Sequence, residues 1–322
     1  MEKITLFNTA IGSTNKGDEI IMRCVQEELG ELLNKYFILE SPTHLQAFGI
    51  LECIGRLSDS ALEISTSKYK FVCGTNLLSP KMFHRSNQWN INYFNCRPLK
   101  GSILVGFGVL KGNTPDWYSR KLYKKILSDE YYHSVRDDIA YRMMKDIGLK
   151  CYNTGCITLW KLTPEVCNRI PKRKAEAVIF TLTDYRRNPE KDRIIVDIIK
   201  ENYKEIYFWI QGIGDLEYLQ SIADIDEIKI IGPDVDSYEK VLKKNIDYVG
   251  TRLHAGIFAM RHGCRSIIIR VDERMDAMSS YIPNNCVSRE QLSELKFKIQ
   301  SQFTTSVDID WSAIEKWKKQ FK

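Results

Sequence analysis

Short apolar runs alternate with amphipathic segments along most of this chain, and that alternation limits the possible folds more than any other feature. The apolar runs are typical of buried β-strands and lie at residues 4–8, 36–39, 69–73, 102–107, 177–182, 206–210, 228–231, 247–250 and 266–269. Helical spacing of apolar residues is found between them, at 18–33, 116–127, 137–147, 191–202 and 255–261, and in a stretch that ends near Leu57. Strands that alternate with helices in this way predict an α/β fold built on mainly parallel sheets.

Two such series follow one another, and the length of 322 residues suits two domains of about 150 residues each. We predict two Rossmann-like domains, over residues 1–165 and 175–322, with the linker within 162–174. The final amphipathic helix, at 311–321, either packs back onto the first domain or belongs to its own. Two successive Rossmann-like domains with an interdomain cleft describe a GT-B-like arrangement, and such clefts are favoured ligand sites.

The charge balance and the N-terminus narrow the class of protein. The chain has 47 Lys and Arg against 41 Asp and Glu, a net charge of +6. Because basic residues are spread out among acidic ones, nucleic-acid binding is not predicted, whereas an anionic substrate or membrane surface suits the charge. Residues 1–7 do not resemble a signal peptide, and no apolar stretch reaches the ~18 residues needed to cross a bilayer. We predict a cytoplasmic protein, for which peripheral contact at the inner membrane face stays open.

Cysteine and histidine do not show the spacing of a metal site. Nine cysteines and five histidines are scattered, the closest cysteine pair is Cys151 and Cys156, and no CxxC occurs. We expect reduced thiols packed as small apolar groups, and no metal ion.

The segment Thr251-Arg252-Leu253-His254-Ala255-Gly256 lies where a predicted strand ends and a predicted helix begins. In a parallel sheet this junction is at the carboxyl edge, where ligands bind, and the helix start offers free N–H groups to an anion. Arg252 suits a phosphate or carboxylate, and His254 can exchange a proton near neutral pH. The segment predicts a site for a small anionic substrate, although an Arg-x-His pair also occurs in purely structural settings.

The first strand-to-helix loop, Asn15-Lys16-Gly17-Asp18, is a second candidate. It has neither the GxGxxG spacing of dinucleotide sites nor the GK[ST] ending of a Walker loop, so NAD and ATP are not predicted. Asp18 and Gly17 either cap the helix and relieve a turn, or belong to a loop that faces the acceptor substrate.

Polar residues also follow other predicted strands. Gly74-Thr75-Asn76 and Gly106-Phe107-Gly108 are expected to form loops at the same sheet edge, and Asn76 is a candidate for substrate binding. Arg186 and Gln211 follow the first two strands of the second domain and are further candidates, although an exposed arginine is often only solvated.

Three segments resemble the polysaccharide pyruvyl transferase family: Asn15 to Glu19, Ser134-Val135-Arg136-Asp137, and the stretch from Thr251 to Asp272. They occur in the family's order and span most of the chain. The resemblance implies that Arg252, Leu253 and His254 bind phosphoenolpyruvate in the second domain, and that the first domain faces the acceptor. The chain departs from the family at residues 74–76, where more glycine is usual, and after the last strand, where Arg274 is the nearest match to a lysine.

The reaction that the resemblance implies moves the enolpyruvyl group of phosphoenolpyruvate onto two hydroxyls of a sugar, forming a pyruvyl ketal. The acceptor would be a bacterial surface-glycan precursor, for capsule or exopolysaccharide, in a form that is often lipid-linked. The donor's phosphate and carboxylate suit two arginines, Arg252 and Arg136. His254 is the expected acid and Asp18 the expected base, and beyond the donor itself no cofactor is expected.

Two other classes of protein stay open on the sequence. One is a GT-B glycosyltransferase that uses a nucleotide sugar, because it shares the architecture and also needs arginine near a diphosphate. The other is a non-catalytic glycan-assembly protein that retains the fold. The order of the three family-like segments favours the pyruvyl transferase over both.

Overall fold

The chain divides into two compact units, which we call the first and second unit. The computed structural model describes residues 1–83, 88–109 and 114–321, with the backbone but not the side chains of 273 and 274. The first unit comprises Met1–Ser13, Ile21–Trp160 and Ile309–Lys322, and the second comprises Thr14–Ile20 and Lys161–Asp308. The units differ from the sequence-based ranges in three segments, because residues 14–20 and 161–165 group with the second unit and the residues from Ile309 onward with the first.

A six-stranded parallel sheet forms the centre of the first unit, in the order β2-β1-β3-β4-β5-β6. Its strands are β1 (Lys3–Asn8), β2 (Phe37–Pro42), β3 (Tyr69–Leu78), β4 (Ile103–Val109), β5 (His133–Val135) and β6 (Cys151–Asn153). The preceding and intervening helices are α1 (Lys16–Glu28), α2 (Gly30–Leu33), α3 (Ile50–Cys53), α4 (Asp59–Ser65), α5 (Trp117–Ile126) and α6 (Asp138–Ile147). The order reverses between β1 and β3, which is the ligand-binding point in sheets of this type.

The second unit contains another six-stranded parallel sheet, in the order β12-β11-β10-β7-β8-β9. Its strands are β7 (Ala177–Thr181), β8 (Glu205–Trp209), β9 (Ile228–Ile231), β10 (Ile246–Gly250), β11 (Ser266–Arg270) and β12 (Cys286–Ser288). Its helices are α7 (Pro164–Arg169), α8 (Pro189–Asn202), α9 (Asp215–Ile222), α10 (Val235–Leu242), α11 (Leu253–Arg261), α12 (Glu273–Ser279) and α13 (Leu292–Gln300). This is the Rossmann strand order, and it reverses between β7 and β10. Two parallel α/β units confirm the prediction of two Rossmann-like domains.

Side-chain caps and apolar strands explain why these segments adopt their structures. Asp137 accepts a hydrogen bond from the Ala140 amide at 2.8 Å and caps α6, as its position before the helix predicts. Gly148 ends the same helix with a φ of 86°, which glycine adopts without strain. The central strands β7, β10 and β11 are almost wholly buried, as expected for a sheet covered by helices on both faces.

The C-terminal helix α14 (Trp311–Lys318) packs within the first unit. The ring of Trp317 lies 6.2 Å from that of Phe71 on β3 and 5.6 Å from that of Trp160. Phe321, just beyond the helix, lies 5.0 Å from Phe71 and 5.3 Å from Tyr69. These edge-on and tilted contacts are favourable aromatic geometries, so the chain end contributes to the core of the first unit.

Several predicted boundaries were wrong. The helix predicted over 18–33 breaks after Glu28, and the helical stretch expected up to Leu57 contains only the four-residue α3. Gly74-Thr75-Asn76 and Gly106-Phe107-Gly108 lie inside β3 and β4 rather than in loops. The physical reason is that Leu77 and Leu78 are buried and extend β3 beyond its glycine, with a register irregularity between Thr75 and Leu78.

The cysteines bear out the expectation of packed thiols. Eight of the nine are buried, and Cys286 is half-buried. Burial raises the pKa of the thiols of Cys151, Cys264 and Cys286 to about 12. Within the described part of the chain, no helix is long and apolar enough to cross a membrane.

Candidate active site

The carboxyl ends of β7, β8 and β10 bring together most of the residues predicted for the second unit. Arg252 follows β10, Arg186 lies shortly after β7, and Gln211 follows β8. Because β7 and β10 flank the point where the strand order reverses, this position is the expected ligand site of a Rossmann sheet.

Arg252 is buried and held by groups that follow β7 and β8. Its Nε donates to the carbonyl of Leu182 at 3.1 Å, and its Nη2 donates to Asp184 Oδ1 at 2.8 Å. Nη2 also forms an ion pair with Asp215, the first residue of α9. The guanidinium carbon lies 5.0 Å from the ring centroid of Tyr185. These contacts fix the plane of the guanidinium, so Arg252 is a rigid part of the sheet edge.

The backbone that carries Arg252 is fixed as well. The hydroxyl of Tyr248, on β10, donates to the Arg252 carbonyl at 2.7 Å. The hydroxyl of Thr183 donates to the carbonyl of Thr251 at 3.0 Å, and the Thr251 amide donates to the Thr181 carbonyl at 3.1 Å. The turn from β10 into α11 is therefore held by the neighbouring strand.

The two charged partners influence each other's protonation. Burial raises the pKa of Asp215, and the positive charge of Arg252 opposes that rise. For Arg252, burial lowers the pKa, but the charge of Asp215 outweighs this and leaves the pKa above its usual value. Arg252 therefore stays protonated, and its charge is largely balanced by Asp184 and Asp215.

One nitrogen of this guanidinium is not used by the protein. Nη1 of Arg252 is buried and has no hydrogen-bond partner among the residues that the structure describes. Arg252 is also the N-cap residue of the nine-residue helix α11, and no side chain caps the first turn. A buried N–H donor without a partner costs roughly 1–3 kcal/mol, which a ligand oxygen would recover. The guanidinium edge and the helix start together can receive an anion.

Asn15 and Gln211 form a polar cluster in the second unit. Gln211 Nε2 donates to Asn15 Oδ1 at 2.7 Å, the Gly17 amide donates to the same oxygen at 3.0 Å, and the Lys16 amide donates to the Gln211 carbonyl at 2.8 Å. Because the Gly17 N–H requires an acceptor, the Asn15 atom is oxygen, and the Gln211 atom that faces it must be nitrogen. Gln211 Oε1 is thus directed elsewhere, buried and without a hydrogen-bond partner among the described residues.

Gly17 connects this cluster to the catalytic candidates. A Cβ at Gly17 would lie 2.9 Å from Gln211 Nε2 and 3.3 Å from His254 Nδ1, so a larger residue here would displace these two side chains. His254 is half-buried in the first turn of α11, next to the half-buried Leu253. Asp18 follows Gly17 and is mostly buried in the first turn of α1. Asn15, Gly17, Gln211 and His254 are therefore neighbours in space.

Arg186 lies at the same strand end but in a different environment. Its side chain is half exposed and 3.8 Å from Asp272, and its carbonyl accepts a hydrogen bond from Arg289 at 2.7 Å. It is a solvated cation two residues from Asp184. Arg274, the nearest match to the family's lysine, has a side chain outside the described residues.

Arg136 and Asn76 belong to the first unit and contact each other. Arg136 follows β5, is buried, and donates from Nη2 to Asn76 Oδ1 on β3. Its Nε lies 3.5 Å from Asp137 Oδ2. A Cβ at Gly108 would overlap both Arg136 and Asn76, so this glycine makes room for the pair. The first unit thus has its own buried arginine at the carboxyl edge of its sheet.

The strand beside this pair carries a strained residue. Thr75 has a φ of 151°, a region that is almost exclusive to glycine. Such strain costs roughly 1–3 kcal/mol and concentrates at functional sites.

Sequence reasoning missed Asp184 and Asp215, the two carboxylates that hold Arg252. Both lie within the segments from which Arg186 and Gln211 were chosen. The sequence signal that could have identified them is their position, because each lies just beyond a predicted parallel strand. In the structure, Asp215 Oδ2 also accepts a hydrogen bond from the Gly212 amide at 2.7 Å, in the turn that opens α9. A buried arginine requires carboxylate partners, and the acidic residues closest to Arg252 in the fold are those at the neighbouring strand ends.

Two parallel α/β units, each with polar groups at its strand ends, define a Rossmann-type protein. The chain belongs to the polysaccharide pyruvyl transferase family, a family of transferases, since the family's sequence model matches residues 15–273. That range contains all three segments on which the resemblance was based, which confirms it.

One solved structure shows a related fold. S. aureus MnaA, solved with UDP, aligns with a TM-score of 0.53 and 12% identity over 98% of this chain and 94% of its own. UDP-GlcNAc 2-epimerase from Neisseria meningitidis, solved with UDP-GlcNAc, aligns with a TM-score of 0.47 and 13% identity over the whole of both chains. At such identity the first likeness shows the fold alone. No curated protein has a sequence that matches this chain.

Proposed function

We propose that this protein transfers the enolpyruvyl group of phosphoenolpyruvate to two hydroxyls of a sugar, forming a pyruvyl ketal on a surface-glycan precursor. Membership of the family supports this proposal. The observation that carries it is the buried Arg252, whose Nη1 has no partner within the described residues, at the uncapped start of α11. The acceptor that we propose is a lipid-linked oligosaccharide.

The donor would bind with one anionic group against Arg252 Nη1 and the first turn of α11, formed by Leu253 and His254. Asp184 and Asp215 balance the arginine's charge, so attraction must come from directed N–H groups, the helix start and the solvated Arg186 rather than from net charge. A site of this kind selects for oxygen atoms at defined positions.

The chemistry requires two proton movements. Protonation of the methylene carbon by His254 makes C2 electrophilic, and a sugar hydroxyl attacks C2. The bond from C2 to the phosphate oxygen then breaks, and a second hydroxyl closes the ketal. One of the two hydroxyl protons restores the proton that His254 gave to the methylene carbon. The other hydroxyl proton leaves with phosphate. Acid–base assistance of this kind is typically worth about 10²–10⁴ in rate.

Other residues receive proposed supporting roles. Asp18 is the proposed base for the attacking hydroxyl, since it follows Gly17 beside His254 Nδ1. Gln211 Oε1 is a proposed acceptor for a substrate hydroxyl, oriented by Asn15. In the first unit, Arg136 is the proposed second anion contact, held by Asn76.

The test is calorimetric binding of phosphoenolpyruvate to the wild type, Arg252→Lys and Arg265→Lys. Lysine at 252 keeps a cation beside Asp215 but removes Nη1, so we expect affinity to fall at least about tenfold, or 1.4 kcal/mol. Arg265 is equally buried and paired with Asp247 at 2.7 Å, but it precedes β11 at the opposite sheet edge. Arg265→Lys is therefore a matched control and should bind like the wild type.

Equal loss in both variants would assign the effect to stability and contradict the proposed site. Absence of binding to folded wild type, together with binding of UDP or a UDP-sugar, would favour a glycosyltransferase of the same architecture.

A further inference from the structure

The positive charge of this chain is concentrated in one segment. Residues 64–128 contain eleven of the 47 Lys and Arg but one of the 41 Asp and Glu, so they carry ten net positive charges, and the other 257 residues carry four net negative charges. This distribution corrects the expectation that basic and acidic residues are evenly mixed. A strong local charge of one sign indicates a surface for an anionic partner.

Helix α5 in this segment has one buried and one exposed face. Leu122, Tyr123 and Ile126 are buried in the first unit. The exposed face contains Trp117, which is 70% exposed, and the exposed lysines Lys121, Lys124 and Lys125. No carboxylate of the described residues forms an ion pair with these three lysines. Asp116, the one acid within residues 64–128, accepts a hydrogen bond from the Ser119 amide at 2.7 Å and caps the helix.

Exposed aromatic residues surround this helix. The ring of Phe83, 78% exposed, lies 5.5 Å from that of Tyr118 on α5. The amide of Tyr93 donates to the Tyr118 hydroxyl at 3.0 Å, and Phe94, 64% exposed, is next to it. A cluster of large exposed apolar side chains is unusual on a surface that faces only water.

Two of the three lysines lie over aromatic rings. Lys125 Nζ is 3.7 Å from the ring centroid of Tyr93, and Lys121 Nζ is 4.3 Å from that of Trp117. We name the set the aromatic–lysine surface; its members are Phe83, Tyr93, Phe94, Trp117, Lys121, Lys124 and Lys125. Aromatic rings interleaved with lysines match a bilayer interface, where rings enter the headgroup level and cations meet anionic lipids.

We propose that the aromatic–lysine surface docks the protein on an anionic lipid membrane. A lipid surface fits better than a nucleic acid because the arginine of this helix is not available for phosphate or base contacts. Arg120 donates to the carbonyls of Pro115 and Asp146, at 3.0 and 2.8 Å, and pairs with the Asp146 carboxylate. The cations left exposed are lysines, which attract a diffuse anionic surface without directed geometry. This proposal rests on the proposed function, because a membrane surface is where a lipid-linked acceptor would be found. Docking itself does not require the donor phosphoenolpyruvate.

The experiment is sedimentation of the full chain with vesicles of phosphatidylcholine alone or with phosphatidylglycerol, at low and high salt. We expect binding to the anionic vesicles that high salt weakens. Each lysine near an anionic surface contributes roughly fivefold in affinity. The variant Lys121→Gln/Lys124→Gln/Lys125→Gln should thus lose at least about tenfold, whereas Lys172→Gln/Arg173→Gln/Lys240→Gln, which removes the same charge from exposed positions of the second unit, should bind like the wild type.

A second measurement reports insertion. Brominated lipids should quench the fluorescence of Trp117, and Trp117→Phe should retain binding but lose that quenching. Phe83→Ala/Phe94→Ala should weaken binding severalfold, whereas Phe297→Ala, at a 75% exposed position of the second unit, should not.

Absence of binding to anionic vesicles at low salt, or equal loss in the two charge variants, would overturn the proposal. Binding of a single-stranded oligonucleotide without vesicle binding would also overturn it, in favour of a nucleic-acid surface. Because the vesicle experiments contain no phosphoenolpyruvate, their outcomes are independent of the calorimetric test of donor binding.

Discussion

Arg252 and Arg265 are both buried in the second unit, at opposite edges of the same sheet. Arg265, before β11, donates to Asp247 Oδ2 at 2.7 Å and to the carbonyls of Lys298, Ile299 and Ser301 at 2.8 to 2.9 Å. Only its Nε has no partner within the described residues. Arg252, after β10, has two carboxylate partners and a whole NH₂ group without one, beside a helix start. The two residues share their type and their burial and differ in the edge of the sheet at which they lie. The arginine before a strand has a structural role, whereas the arginine after a strand is a candidate ligand contact.

Histidine shows the same difference between edges. His133 begins β5 and is fully buried, with the Leu104 amide donating to its Nδ1 at 3.1 Å and its Nε2 2.9 Å from the Ser128 carbonyl. His254 follows the carboxyl end of β10 and is half-buried next to Gly17. Both nitrogens of His133 are used by the fold, so it is not expected to take part in catalysis.

The largest expected effect is that of Arg265→Ala on stability. The change leaves Asp247, whose pKa burial already raises, without its cation, and three carbonyls without their donor. Breaking a buried ion pair in this way typically costs about 3–5 kcal/mol. Urea unfolding of the wild type and the variant measures the loss. A loss below about 1 kcal/mol would contradict the structural role assigned to this edge.

A slightly smaller effect is expected when the pH is lowered. Burial lowers the pKa of His133 to about 4, from an ordinary value near 6.5, so the neutral ring is favoured in the folded state. The corresponding stability is present above pH 6.5 and is lost as the pH falls toward 4, a total of about 3 kcal/mol. His133→Gln does not titrate and serves as the control in unfolding curves at pH 7 and 4. Equal acid sensitivity of both proteins would show that His133 is not the responsible group.

The smallest effect is expected at the carboxyl edge of the first sheet. Thr75→Gly relieves the strain of a φ of 151° and should stabilise the protein by about 1 kcal/mol, after the entropy cost of glycine. The melting temperature should rise by about 2–4 °C. Thr75→Ala is the matched control, because alanine disfavours the same φ. An equal gain with alanine would mean that the threonine side chain, and not the backbone, is the source.

The sequence predicted the features that depend on local pattern. The strand, polar turn and helix around Arg252 and the Asp137 cap follow from neighbouring residues, and the structure has both. Strands β5, β6 and β12 were missed because each has three residues, and their pairing partners are distant in the chain. The partners of Arg252 were missed for the same reason, since Asp184 and Asp215 are 68 and 37 residues away.

The nine buried or half-buried thiols can serve as natural probes of local opening in this protein. Six belong to the first unit and three to the second, and burial raises the pKa of most of them, so the folded chain presents little reactive thiolate. A thiol reagent can then modify a cysteine mainly when the surrounding structure opens. Mass spectrometry of slowly labelled native protein would show which unit opens first, without introducing any probe.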